Sequence, residues 1–585
     1  MHFLRPAVLL FTAISLLCSC SSDSEEQSIV TDNIAPTLDF TISGTSSGSE
    51  PIVVSNQMEI NINAQDAKGI SKVEAFIDDE KVGEDNTAPF TIVVDLSGYA
   101  TKSLTAKSQN YILRVDATDT SGNTASKEQH IIIESTTQLI TINFPEQGDN
   151  PELVDFYIFA SRMTGELLGI EKLETGQRTV TISTTMDITE DEEYMLTFAQ
   201  KFAAYNGETN QLATIQNIKG SILNEININN YPIFSSNFFD RVSPEEFPIE
   251  GFWDENTTET IAIGAQGFDY SIGGNNCSCN YSNTNNKISV GRYESYDNQF
   301  ATDNIYFHMV NTDQNTAQYA FFKKNMLEEG FKLSPDLFSS EGMTLESFEY
   351  PNLDTSISKD PSLKIFVYED TVDYSNNIFH AIYPYTFNID IESEYNFWLD
   401  NNFNNYITEL TYLNYKIDHT GKPNKTYNGS NWTLSHTFQE NTFSIDKNTN
   451  NQDFVGRLSI SDSFSPKSSG QQTVLDGNNA TYRWHILFDS QNNSTVPLPT
   501  LPEELEEWIF IDKYNNQTFE SIENKDQRQV EVIKYEGLTS YDEYLQKVIQ
   551  NNVKWYLVSP ERESIYDNPS PWKENYFYPN HFLFD

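Results

Sequence analysis

Strict alternation of apolar and polar residues recurs through the N-terminal part of this chain, and it confines that part to β-structure. Met58-Glu-Ile60-Asn-Ile62-Asn-Ala64 sets its apolar side chains two residues apart. At that period a strand turns one face to a core and the other to water. Tyr111-Ile-Leu113-Arg-Val115-Asp-Ala117 repeats the pattern. Val73-Glu-Ala75-Phe76-Ile77 runs into the turn residues Asp78-Asp79, and Phe90-Thr-Ile92-Val-Val94 and Ile131-Ile-Ile133 add two short runs rich in β-branched residues. Short, regularly spaced strands with turn signals between them predict an antiparallel sandwich over residues 36–135.

Further β-structure is expected beyond it. Leu139 to Ile142, Phe156 to Ala160, Val180 to Ile182 and Tyr194 to Phe198 predict a second small sandwich over 137–232, with Gly165 and Gly176 at turns. Residues 233–498 carry aromatic strand candidates such as Ile305 to Phe307, Leu363 to Tyr368 and Tyr482 to Phe488, separated by Asn-rich turns. In 499–585 two capping boxes predict helices. Thr500 with Glu503 precedes Leu501, Leu505, Trp508 and Ile509 on one face, and Ser540 with Glu543 precedes Tyr541, Tyr544, Leu545, Val548 and Ile549. The fold class expected is therefore mainly β. It comprises an N-terminal β-sandwich, a second small β-sandwich and a larger β-rich C-terminal region with a few helices.

Charge narrows the partners. Asp and Glu number 85 against 36 Lys and Arg, a net charge of −49 over 585 residues. Such a polyanion repels nucleic acid and anionic membrane surfaces. Aromatic residues at 13% argue for folded structure, since disordered acidic chains are poor in them.

The N-terminus specifies an address. The apolar run from Ala7 to Leu17 is too short to span a bilayer, and it leads into Leu17-Cys18-Ser19-Cys20. This resembles the lipobox of bacterial lipoproteins, which implies a signal peptide over 1–19, cleavage between Ser19 and Cys20, and lipidation of Cys20. The polar, acidic tether over 20–35 opens with Ser21-Ser22-Asp23-Ser24-Glu25-Glu26. It resembles the export signal of Bacteroidota surface lipoproteins. The implied location is an outer membrane lipoprotein held by its lipid anchor on the cell surface.

A second resemblance covers the first sandwich. Asp66-Ala-Lys-Gly69-Ile70-Ser-Lys72-Val73-Glu74-Ala75-Phe76-Ile77-Asp78, Lys81-Val82-Gly83, Ala88-Pro89-Phe90 and Ala117-Thr-Asp119-Thr-Ser-Gly122-Asn123 are similar to a bacterial immunoglobulin-like domain. Such domains serve as spacers or adhesive modules of surface proteins and as appended domains of glycan-degrading enzymes. The 233–498 region resembles long tails of Bacteroidota lipoproteins, a likeness that implies no activity.

The search for chemistry yields no strong catalytic motif: no phosphate loop, zinc-protease helix or nucleophile elbow. No catalytic residue is therefore assigned. Carboxylates abound, and a glycosidase pair is defined by a spatial separation that sequence does not show. Asp66, Asp116 and Asp119, near strand ends, are candidate calcium ligands, and Ca2+ is the one cofactor considered. The competing reading of the same residues is turn formation. After processing only Cys277 and Cys279 remain as thiols, a candidate disulfide. All seven tryptophans follow residue 252, and Trp432 and Trp572, in polar or Pro-rich loops, are candidate stacking residues for a ligand ring.

The function that ranks first is a non-catalytic, lipid-anchored surface protein. Its Ig-like stalk presents a C-terminal region that binds a polysaccharide or another surface ligand, such as a surface protein. A structural or adhesive envelope protein ranks second, and a glycan-active hydrolase or lyase third.

Overall fold

The computed structural model describes residues 32–43, 51–96, 108–145, 153–228, 304–350, 361–386, 394–464, 479–505 and 528–567, a few positions inside these ranges excepted. Tyr99, Trp508 and short strands between 240 and 294 are described as well. The chain divides into two compact units, Met1–Thr136 and Thr137–Asp585. The architecture is mainly β with several sheets.

The first unit holds β1 (Thr37–Ile42), β2 (Ile52–Ser55), β3 (Gln57–Gln65), β4 (Ile70–Ile77), β5 (Glu80–Asp85), β6 (Phe90–Asp95), β7 (Ser108–Asp119) and β8 (Thr124–Glu134). β3 is flanked by β1 and β6, while β2, β8, β7, β4 and β5 run in that order. Among the described residues the only strand pairing between the two sets is that of β2 with β3 at Ser55 and Gln57, so the layers form a sandwich. The alternation seen in the sequence is the core pattern. Met58, Ile60 and Ile62 point inward from β3, and Val73, Ala75 and Ile77 from β4. They meet Leu113, Val115 and Ala117 from β7 and Ile131 and Ile133 from β8. Each large buried aliphatic contributes about 1.5–3 kcal/mol. Asp78 and Asp79 make the two-residue hairpin between β4 and β5 with φ of 45° and 68°. Short polar side chains tolerate that left-handed region, and the turn's twist suits the strands it joins.

The second unit is organised by a twelve-stranded sheet. Its early strands are β10 (Leu153–Arg162), β11 (Leu167–Lys172), β13 (Tyr194–Ala204) and β14 (Gly207–Ile218). Across the sheet follow Asn479–Asp489, Val455–Phe464, Arg528–Tyr535, Glu561–Tyr566, Tyr415–Thr420, Asn405–Tyr412, Ser362–Tyr368 and His380–Thr386. A small sheet of β9 (Thr137–Asn143), β12 (Thr179–Thr184) and β15 (Glu225–Asn227) shares a core with the early strands through Ile140, Ile142, Val180 and Ile182. The expected second sandwich over 137–232 thus has its two layers, but one of them continues into later sequence. β14 pairs in parallel with Asn479–Asp489, from Gly207 opposite Asn479 to Ile215 opposite Leu487. Strands from all three expected segments, 137–232, 233–498 and 499–585, are hydrogen-bonded in one sheet, so 232 and 498 are not domain boundaries. The physical reason is that β14 would otherwise present an unpaired edge.

Both faces of the central strands of this sheet are buried. Val455, Leu487, Ile533 and Tyr535 lie in one core, and Leu458, Trp484, Ile486, Phe488, Val530 and Val532 in the other. That explains continuous apolar runs such as Ile486-Leu-Phe488, since a doubly covered strand has no wet face to mark.

Ser540 caps a helix that runs through Tyr541–Tyr544 and continues as a π turn over Leu545–Ile549. The Ser540 hydroxyl accepts from the Glu543 amide at 3.2 Å. The Glu543 carboxylate accepts from the Thr539 amide at 2.8 Å, one residue before the cap. All five residues of the expected apolar face are buried. The helix expected after Thr500 is, among the described residues, a single 3-10 turn over Glu503–Leu505. Leu505 and Trp508 are buried as an apolar face requires.

Candidate functional site

In the second unit, four adjacent strands place charged side chains on one buried face. Lys364 stands opposite Glu409, Glu409 opposite Asp418, and Asp418 opposite Arg562. Lys416 shares the face two residues before Asp418, because alternate residues of a strand point the same way. The Lys364 ammonium lies 2.8 Å from one Glu409 oxygen, and Lys416 lies 2.8 Å from the other. Lys416 also reaches Asp418 at 3.5 Å, and Arg562 Nε donates to Asp418 at 2.5 Å. Glu409, Lys416 and Asp418 are only 5%, 6% and 2% exposed. Charges so buried persist only when paired.

The environments of the two carboxylates differ. Burial opposes the charge of Glu409, but Lys416 and Lys364 outweigh it and hold the group at about 2. Burial dominates at Asp418 and pushes it above its ordinary value, with neighbouring Glu409 adding to the effect against Lys416 and Arg562.

Above this row lies a cavity of about 100 Å3. Its further walls include Asn377, Lys554, Trp555 and Tyr556. The Arg562 guanidinium stacks 4.9 Å from the Trp555 ring centre, a cation–π contact that fixes its plane. The Tyr556 hydroxyl donates to the Tyr374 carbonyl at 2.9 Å, and the Tyr368 hydroxyl to Asn377 Oδ1 at 3.0 Å. The walls are therefore held by their own bonds before any ligand arrives.

A second cluster lies in the first unit. Asp32, Asp66 and Asp119 each bring one carboxylate oxygen within 4.8 Å of the others. Asp66 accepts from the Lys68 amide at 2.7 Å in the turn after β3. Asp119, at the end of β7, accepts from the Ser121 and Asn123 amides at 2.7 and 2.9 Å and from Asn123 Nδ2 at 2.8 Å. Burial works against the charge of Asp119, but these bonds, led by the Asn123 side chain, hold it below its ordinary value. Asn123 Nδ2 also donates to the Asp32 carbonyl at 3.1 Å. Hard carboxylate oxygens are the donor type calcium takes.

Of the expected calcium residues, Asp66 and Asp119 are together and Asp116 is not. Three residues along a strand is about 10 Å, and Asp116 pairs instead with Arg114 Nε at 3.4 Å. Asp32 was hidden in what reads as tether. Trp432 is 6% exposed and packs edge-on against Tyr415 in the core. Its indole is thus no exposed stacking face, because the polar loop around it folds over an apolar cluster. Ser19, Cys20, Cys277, Cys279 and Trp572 lie outside the described residues. The charged row had no local signal, as its members meet only across strands.

The comparisons bear chiefly on the first unit. Residues 41–107 match the bacterial Ig domain family, so the chain carries a bacterial Ig-like domain. No curated protein matches the chain. Among solved structures, the fibronectin(III)-like modules of Clostridium thermocellum CbhA are 19% identical, covering 16% of this chain and 94% of theirs at a TM-score of 0.13. SGBP-B of the Bacteroides ovatus mixed-linkage glucan utilization locus, solved with a mixed-linkage heptasaccharide, is 10% identical. It covers 62% of this chain and 91% of its own at a TM-score of 0.12. A 1.5-MDa bacterial ice-binding adhesin is 9% identical over 68% of this chain and 99% of its own, at a TM-score of 0.15. Likenesses at these scores carry no argument. Among the described residues no helix is long and apolar enough to cross a membrane.

Proposed function

We propose that this chain is a non-catalytic, lipid-anchored protein of the outer cell surface. In this reading Cys20 is acylated after cleavage at Ser19, the Ig-like unit is a stalk, and the Thr137–Asp585 unit binds a glycan or another surface ligand. The observation that carries it is the bacterial Ig-like domain at 41–107, which stands between a lipobox-like cysteine and a separate compact unit.

Metabolic labelling with a fatty acid, followed by protease treatment of intact cells, tests the reading. The native chain takes up label and is degraded from outside, and Cys20→Ser abolishes the label. An unlabelled native chain, or one protected in intact cells, contradicts it.

The Asp32, Asp66 and Asp119 cluster favours a second reading, a structural or adhesive envelope protein whose Ig-like unit is stiffened by calcium. Calcium titration then raises the unfolding temperature of the first unit, and Asp119→Asn removes the rise. No rise in the native chain rejects calcium at this cluster.

A further inference from the structure

Of the large apolar side chains that are exposed among the described residues, Phe321 is the one aromatic, at 40% exposure. Aliphatics exposed singly are ordinary on a protein surface. A ring that is both open and fixed is different. Phe321 lies opposite Tyr306 in the antiparallel pairing of Asn304–Asn311 with Thr316–Lys323. The rings of His380, Phe403 and Tyr306 meet it edge-on, with centres 5.4, 6.0 and 6.4 Å away. Three edge contacts hold its plane while part of the ring stays open to water.

The polar group beside it is equally fixed. One Glu369 oxygen accepts from His380 Nε2 at 2.9 Å, and the other accepts from Asn304 Nδ2. The Glu369 side chain is still 24% exposed, and each carboxylate oxygen has a second lone pair to offer. Asn304 and Tyr306 are one strand repeat apart, about 7 Å, so ring and carboxylate are within reach of one sugar residue and its neighbour. An open ring rimmed by a bonded carboxylate is a poor seat for a wholly apolar partner. It matches a pyranose, which offers an apolar C–H face bordered by hydroxyl donors. The Glu369 carboxylate and the chain's −49 disfavour an acidic sugar.

We propose that Phe321 is the stacking platform of a site for a neutral polysaccharide, with Glu369 accepting hydroxyls at its rim. The proposal rests on the surface-binding reading above and gives it a place and a substrate class. Both side chains are set before the sugar arrives, so little ordering is left to oppose binding.

Affinity electrophoresis of the full chain tests it, in native gels that hold laminarin, galactomannan or dextran, with polygalacturonate and alginate as the acidic counterparts. At least one neutral polysaccharide retards the chain, and neither acidic one does. Phe321→Ala weakens that binding at least tenfold and Phe321→Trp retains most of it. Phe321→Leu, apolar but without a ring, weakens it like Phe321→Ala. Glu369→Ala weakens it as well. Melting curves of each variant establish that it is folded. Unchanged affinity in folded Phe321→Ala or Glu369→Ala, or equal binding by Phe321→Leu and the native chain, overturns the site while the surface-binding reading stands. Binding of the acidic polysaccharides alone overturns the substrate class and likewise leaves that reading standing. If no polysaccharide retards the native chain, both fail.

Discussion

The Ig-like unit keeps most of its charge at turns and on wet strand faces, whereas the Thr137–Asp585 unit builds charge into the interior of its sheet. Glu74 of the first unit bridges Lys72 and Lys81, both near 42% exposed. Glu409 of the second is flanked by Lys364 and Lys416 at 5% exposure of its own. Exposed pairs contribute about 0–1 kcal/mol, while breaking a buried pair costs about 3–5 kcal/mol. The same residue types thus act as solvated surface in one unit and as structural elements in the other.

Mutation should separate the two most sharply at Lys416. Lys416→Met leaves Glu409 and Asp418 short of a partner and lowers the stability of the second unit by about 3–5 kcal/mol. Calorimetry should show one transition moving and the other fixed, and a shift below 1 kcal/mol would make the row no stronger than a surface pair. The converse is Ile60→Ala, at an aliphatic that is fully buried. It should cost about 2–5 kcal/mol and move only the transition of the Ig-like unit.

Acidification sharpens the contrast without mutation. Burial pushes His308 and His485 of the second unit down to about 3, with Arg457 and Arg483 adding to the effect at His485. Unfolded, each titrates near 6.5. Their stabilisation is complete above about 6.5 and is lost as pH falls from there toward 3, since only the unfolded chain takes up the proton. Between pH 7 and 5 the loss is about 2 kcal/mol for each histidine. Glu409 adds a later loss, below the unfolded carboxylate value near 4.3 and down to its folded value of about 2. Denaturant melts at pH 7 and 5 should therefore converge for the first unit and diverge for the second. The smallest effect is expected at the cap, where Ser540→Ala removes one acceptor and costs about 1 kcal/mol, read as a small drop in the second transition.

The same comparison accounts for what the sequence made legible. Where one face of a strand is wet, alternation is written in the chain, and β3, β4 and β7 fall where Met58, Val73 and Leu113 predict. The amphipathic face of Tyr541, Tyr544, Leu545, Val548 and Ile549 was legible for the same reason. Where both faces are covered the pattern disappears, so the parallel pairing of β14 with Asn479–Asp489 left no mark. The charged row is less legible still, because Asp418 and Arg562 are 144 residues apart and each alone reads as ordinary surface charge. Asp32 was missed because nothing local distinguishes a ligand carboxylate from an acidic tether. Trp432 misled because a polar loop says nothing of what it folds against.

The most direct test of the account is a polysaccharide binding screen with the full chain, read together with release of new reducing ends. Binding to at least one polysaccharide with its chain length unchanged is the expected result. New reducing ends or unsaturated products would contradict the account and make the protein an enzyme.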